Sequence, residues 1–210
     1  MDEVYSSVLS ETTAQSKVEG SRFIADIFPV VDEEEAKEKL DTIRKKYFDA
    51  THHCYAYVIG AEKKNVRYSD DGEPSGTAGI KILSAIQAKN LSDVLVVVTR
   101  YFGGTKLGVG GLGRAYFESA ETGFAHVKLI SKAEIKELHV SFPFSETNPV
   151  MNLINVHKLK ISKIDYIADR SIITIQVLPS QIAAIQSHFI NATRGSAEIS
   201  IGNSKTVIWQ

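Results

Sequence analysis

The sequence predicts an α+β protein built as two successive domains, and three observations predict it. Short strand-like and helix-like segments follow one another in the order β-α-β-β-α-β-α up to about residue 130. A second series, β-α-β-β-α-β, then restarts and runs to the C-terminus. A fully apolar run, Val94–Val98, enters a loop dense in glycine and positive charge, Arg100-Tyr-Phe-Gly-Gly-Thr-Lys-Leu-Gly-Val-Gly-Gly-Leu-Gly-Arg114.

In the first series, Ser16–Phe28 reads as one strand carrying Phe23, Ile24 and Ile27, with a stop at Pro29. Asp32-Glu-Glu-Glu35 places acids in the first turn of a helix, where the helix dipole favours them. Ala36, Leu40 and Ile43 form its apolar stripe, extended by Tyr47. Glu34, Glu38, Lys37 and Lys45 read as solvated helix charges. Cys54–Ile59 and Asn65–Tyr68 are the next strands, separated by a turn at residues 60–64. Ala78, Ile82, Ala85, Ile86 and Lys89 recur at helical spacing, with Ser75 and Thr77 as hydroxyl caps ahead of them. After the Val94–Val98 strand, Leu112, Ala115, Tyr116, Ser119, Ala120 and Gly123 form a stripe of mostly small residues, so this helix should pack closely on its sheet.

The second series begins near Leu129–Lys132, which divides the chain at 1–130 and 131–210. Ala133–Phe142 alternates as a strand, and Glu146–Lys158 carries Val150, Leu153, Ile154 and His157 at helical spacing. Ile161–Ala168 and Ser171–Leu178 form two strands around a turn at Asp169-Arg170. Pro179 opens a helix with Ile182, Ile185 and Phe189, and Glu198–Ile208 closes as a strand. This order is ferredoxin-like.

Composition narrows the function classes. The 210 residues are 43% hydrophobic and 23% charged, enough for a real core. A formal net charge of −1 argues against coating nucleic acid by bulk charge, so any such contact must be a local patch. Up to position 130 there are 16 basic and 19 acidic residues, and beyond it 8 and 6, so the second domain is only slightly basic. One cysteine, Cys54, rules out an internal disulfide framework and suits a reducing cytosol. Met1-Asp-Glu-Val-Tyr lacks the pattern of a signal peptide, and no apolar run approaches membrane-spanning length, which predicts a cytoplasmic protein without a membrane partner.

Two loops carry the candidate site. In the first, the glycines leave main-chain N–H groups unshielded, and Arg100, Lys106 and Arg114 supply charge. The N–H groups of Gly110–Gly113 are expected to face an anion such as phosphate or sulfate at the next helix's N-terminus, with Gly103, Gly104, Gly108, Gly110 and Gly111 shaping the cradle. The other reading is tight turns and solvated bases. Gly108-Val-Gly-Gly-Leu-Gly113 matches Gly-x-Gly-x-x-Gly, but no acid follows in a second strand, and there is no Gly-Lys-Ser/Thr ending, so neither dinucleotide motif nor Walker loop is met. No cofactor is expected. Tyr101 and Phe102 are either stacking surfaces for bases or buried under the helix.

The second loop, Ser69-Asp-Asp-Gly-Glu-Pro-Ser-Gly-Thr-Ala-Gly79, precedes the same strand and is expected to line the same site. Asp70, Asp71 and Glu73 are candidates for ligand contact. Metal binding and proton transfer stand beside a plain turn or ion pairs with the basic loop. Ser75 and Thr77 read as caps rather than nucleophiles. In His52-His53-Cys54, adjacent strand residues point to opposite faces, so the three cannot converge on a metal. His53 is the one expected to face the site as a hydrogen-bond donor. No metal site, nucleophilic cysteine or catalytic triad emerges.

Thr51-His-His-Cys-Tyr-Ala-Tyr57, Ser69–Gly79 and Val98-Thr-Arg-Tyr-Phe-Gly-Gly-Thr-Lys-Leu-Gly108 together resemble the IMPACT/YigZ family, with a continuous signature match from Gly79 to Gly108. The resemblance covers essentially the whole chain. It implies a first domain like the second domain of small-subunit ribosomal protein five and domain four of elongation factor G, with a left-handed β-α-β crossover. It implies a second domain like the elongation factor's fifth. Eukaryotic members are translation regulators that compete for the activator of a starvation-sensing kinase through an additional domain. The bacterial two-domain layout implied here has no such domain, so that mechanism does not carry over. The expected function is a non-enzymatic binding protein of the translation apparatus, with RNA or a ribosome-associated protein as partner. The alternative is an enzyme or sensor for a phosphorylated small molecule or nucleotide.

Overall fold

In the computed structural model, which describes residues 3–209, the chain forms two compact units, one reaching to Lys132 and one spanning Ala133–Ile208. The reading of Met1 and Asp2 lies outside the described residues. The first unit contains β1 (Val4–Val8), β2 (Thr12–Val18), β3 (Ser21–Pro29), α1 (Glu33–Lys46), β4 (His52–Ile59), β5 (Asn65–Ser69), α2 (Gly79–Ala88), β6 (Val94–Tyr101) and α3 (Gly108–Phe124). Five strands form one antiparallel sheet in the order β2-β3-β6-β4-β5. β3 and β4 both run antiparallel to β6, so α1 joins two parallel strands across the strand between them.

Both faces of the sheet are covered, which explains the unbroken apolar run in β6. Val94, Val96 and Val98 pack with Phe23, Ala25, Ile27, Cys54 and Ala56 beneath α2 and α3. Leu95 and Val97 pack with Phe28, Tyr57, Ile59 and the α1 stripe Ala36, Leu40 and Ile43. The α1 helix starts as its sequence dictates. Asp32 accepts the Glu35 N–H at 2.8 Å, Glu35 reaches back to the Val31 N–H at 2.8 Å, and Arg44, Lys45 and Lys46 fill the last turn.

The segment read as one strand, Ser16–Phe28, is a hairpin. Val18 pairs with Ser21 around Glu19 and Gly20, both at positive φ (45° and 80°). That is a two-residue turn of the type that matches strand twist, with glutamate in a position more often filled by asparagine or aspartate. β1 was not anticipated, and it is held by Tyr5, whose hydroxyl donates to buried Asp93 at 2.6 Å. α3 begins at Gly108, a full turn earlier than the stripe from Leu112 implies. Gly123 of that helix lies against Ile27 and Ala25, the close packing that the small residues allow.

The second unit contains β7 (Leu129–Pro143), α4 (Thr147–Val156), β8 (Lys160–Ile167), β9 (Arg170–Val177), α5 (Ile182–Ala192) and β10 (Glu198–Ile208). The helix expected from Glu146 starts as a 3-10 turn at Phe144–Glu146, and Pro179–Gln181 forms another before α5. The order β10-β7-β9-β8, with Leu138, Val140, Phe142, Ile173 and Ile175 against the helices, is the ferredoxin-like arrangement.

The β2–β3 turn meets the glycine loop almost backbone to backbone. A methyl group on Gly103 would lie 1.9 Å from the Gly20 carbonyl carbon, whereas one on Gly110 would meet nothing within 4 Å. Gly103→Ala is therefore expected to lower stability in urea unfolding by about 3 kcal/mol. Gly110→Ala, inside a helix with open space, should raise it by up to about 1 kcal/mol.

Candidate functional site

The parity of β6 decides where its last charged residue goes. Arg100 continues the register of Val94, Val96 and Val98, so its side chain enters the layer under α2 and α3 instead of reaching solvent. There it donates to Glu73 Oε1 at 2.7 Å and to Ser21 Oγ at 3.3 Å, between the rings of Phe23 (5.5 Å) and Phe102 (5.4 Å). The two charged side chains are 7% and 4% exposed, so this is a buried ion pair. The Arg100 Nε has no partner among the described residues.

Three further groups converge on the pair. Tyr116 of α3 donates its hydroxyl to Glu73 Oε1 at 2.8 Å, and the Cys54 thiol lies within 3.3 Å of that hydroxyl and 3.0 Å of the Asp70 carbonyl. His52, the register partner of Arg100, places Nε2 3.8 Å from Glu73 Oε2. Its Nδ1 lies 2.8 Å from the Asp71 carbonyl, which can only accept, so Nδ1 carries a proton. Burial, reinforced by the nearby carboxylates Glu73, Asp71 and Asp70, pushes the Cys54 thiol far above its ordinary range. Burial, with Cys54 and Glu73, does the same to the Tyr116 phenol. Both stay protonated at neutral pH, which makes them donors here and leaves Cys54 no thiolate for nucleophilic chemistry.

The acidic loop is organised by its own main chain. Asp70 accepts from the N–H groups of Gly76 (2.8 Å), Ala78 (2.9 Å) and Gly79 (2.8 Å), so it caps α2 from outside the helix. Thr77 donates to the Pro74 carbonyl at 2.6 Å and Ser75 is exposed, so neither hydroxyl is the cap that the sequence suggests. Asp71, at φ 44°, accepts from the His53 N–H at 2.7 Å and from Arg44 at 3.2 Å. The three carboxylates thus serve a helix end, a strand end and a buried arginine separately. Among the described residues no three metal-ligating side chains cluster.

His53 is not on the Arg100 face. Strand alternation sends it to the opposite side, where Nε2 lies 3.0 Å from the Tyr47 carbonyl, and His52 takes the inward position. Cys54, Ala56 and Val58 already marked even-numbered positions of β4 as inward, which was the available signal. Tyr116 and Ser21 carried no such signal.

The glycine loop divides in two. Gly103 is tied down, its N–H donating to Ser21 Oγ at 3.1 Å, while Tyr101 donates to Asp49 at 2.8 Å beneath the Arg22 guanidinium. Phe102 is 48% exposed. Gly104, Lys106, Gly108, Gly110, Gly111 and Arg114 are exposed. Because α3 starts at Gly108, its unbonded first-turn N–H groups belong to Gly108–Gly110 and not to Gly110–Gly113, and the N-cap residue Leu107 offers them no side-chain acceptor. Lys106 and Arg114 line one recess of about 420 Å³ there with Glu19 and Glu118. A second, of about 400 Å³, joins Gly76 of the acidic loop to Gly110, Arg114 and Lys81. The two loops meet at the surface as well as at the buried pair, but Arg100 is withdrawn from any anion cradle.

Residues 19–124, which include both loops, match the family profile of the Impact N-terminal domain. The chain belongs to the IMPACT family. It is 40% identical over 149 residues to the IMPACT family member YvyE of Bacillus subtilis, covering 71% of this chain and 69% of that one. To YigZ of Escherichia coli it is 29% identical over 189 residues, covering 89% and 92%. A Dictyostelium discoideum protein named Protein IMPACT homolog is 36% identical over 115 residues, which is 32% of its length. A crystal structure described as a hypothetical protein superposes with a TM-score of 0.66 at 27% identity, covering 95% of this chain and 97% of the other, so the two share a two-domain α+β fold. Among the described residues no helix is long and apolar enough to cross a membrane.

Breaking the buried pair from one side should be costly. Arg100→Met leaves the Glu73 charge buried and is expected to cost about 3 kcal/mol in urea unfolding at pH 7. Adding Glu73→Gln, which keeps an acceptor for Tyr116 and removes the stranded charge, should recover more than half of that loss.

Proposed function

We propose that this IMPACT-family protein is a non-enzymatic binding protein of the translation apparatus that contacts structured RNA or a ribosome-associated factor in the cytoplasm. The observation that carries this reading is the exposed start of α3, where uncapped main-chain N–H groups lie between Lys106 and Arg114. Both cations stand outside the ion pairs formed by the described residues, in contrast to Arg100. Half-exposed Phe102 adds an aromatic surface for a base beside this rim. The family's eukaryotic members, as translation regulators, support the same class of partner. The near-neutral chain confines such contact to this patch.

Binding to structured ribosomal RNA should weaken steeply as salt rises. Lys106→Ala/Arg114→Ala should lower affinity at low salt and reduce the slope of log affinity against log salt by about 1 to 2. Unchanged affinity and slope would remove the proposed contact surface. Saturable thermal stabilisation by a phosphorylated metabolite, unaffected by RNA, would favour a small-molecule sensor in its place.

A further inference from the structure

The first unit has an open strand edge next to an open cleft, at a surface separate from the glycine loop. The five strands, about 4.8 Å apart, present a sheet roughly 19 Å wide, and a single helix about 10 Å across cannot cover it. α1 covers β3, β6 and β4 through Phe28, Leu95, Val97 and Tyr57, and leaves β5 bare. A cleft of about 520 Å³ remains between α1 and β4–β5, with Tyr55 and Tyr57 as its floor, Leu40 on the helix side and Arg67 on the strand side. That volume is in the range of genuine binding sites.

The charges in the cleft are unequally satisfied. Glu33 is engaged through both oxygens, by the Tyr57 hydroxyl at 3.0 Å and the Asn65 amide at 2.9 Å. Asp41 faces Arg44 at 3.7 Å. Lys37 and Arg67 take part in no ion pair formed by the described residues; the Arg67 guanidinium is held by the Tyr57 phenol, and Glu34 is the acid set against these two cations.

β5 itself pairs with β4 along one side and is the last strand of the sheet. Asn65, Arg67 and Ser69 share the cleft face, and Val66 and Tyr68, 38% and 48% exposed, share the other. Side chains directly opposite each other on paired strands lie on the same face, so a strand added here would place one residue over Arg67 and its neighbours beside Val66 and Tyr68.

We propose that the β5 edge takes an extended peptide of a partner protein with an apolar-acidic-apolar pattern, which adds a sixth strand and lays its acid over Arg67 and Lys37. Main-chain hydrogen bonds supply the attachment and the alternating side chains supply the selectivity.

The test titrates the nitrogen-15-labelled 210-residue chain with a short soluble peptide of alternating valine and glutamate, and with its valine-lysine counterpart. Saturable amide shifts centred on residues 65–69 and Tyr55 are expected, with the glutamate peptide binding about fivefold tighter. Arg67→Glu, at an exposed position, should reverse that preference, and Lys106→Ala/Arg114→Ala should leave it unchanged. No saturable shift at millimolar peptide, equal affinity for both peptides, or shifts centred on residues 105–114 would each overturn the proposal.

Discussion

A guanidinium and a carboxylate buried together under α2 and α3 set the arrangement of the loops on that face of the first unit. Arg100 reaches that position because it ends a strand whose even-numbered positions all point inward. Once there it must be neutralised, since an isolated buried charge costs several kcal/mol. Glu73 does so at 2.7 Å, and Ser21 and Tyr116 fill much of the remaining hydrogen-bonding capacity. The acid comes from the loop before α2, the serine from the β2–β3 hairpin and the phenol from α3. One ion pair therefore ties three segments to the end of β6.

The consequence for function is a division of labour among charges that look alike in the sequence. Arg100, Glu73, Asp70 and Asp71 are consumed in building the loops, with Asp70 occupying the anion position at the start of α2. Lys106 and Arg114 are left facing solvent at the start of α3, where no carboxylate among the described residues plays the part of Asp70. The protein fills one helix terminus from within and leaves the adjacent one open. That asymmetry, more than glycine content, is the ground on which the glycine loop at the start of α3 is proposed as a surface for a partner.

Much of this was legible in the sequence. Periodicity gave α1, β4, β5, α2 and β6, and the ferredoxin-like order of the second unit, because those elements bury regular stripes. It missed the Glu19-Gly20 turn, since continuous apolar residues on β3 masked a two-residue hairpin whose first turn position is an unusual glutamate. It placed both glycine-rich loops at one site but put Arg100 in a surface anion cradle and turned His53, not His52, toward that site. Strand parity decides both positions: Arg100 falls on the even-numbered face of β6, and His53 on the odd-numbered face of β4. Tyr116 could not be found this way, because a phenol on a buried stripe looks like core until the carboxylate opposite it is seen.

If the Arg100–Glu73 pair holds both loops at once, amide hydrogen exchange of Glu73→Gln will show it. Residues 69–79 and 102–107 should lose protection together, while the amides of β3, β4 and the inner part of β6 keep theirs. Faster exchange in residues 69–79 alone, with 102–107 unchanged, would contradict it.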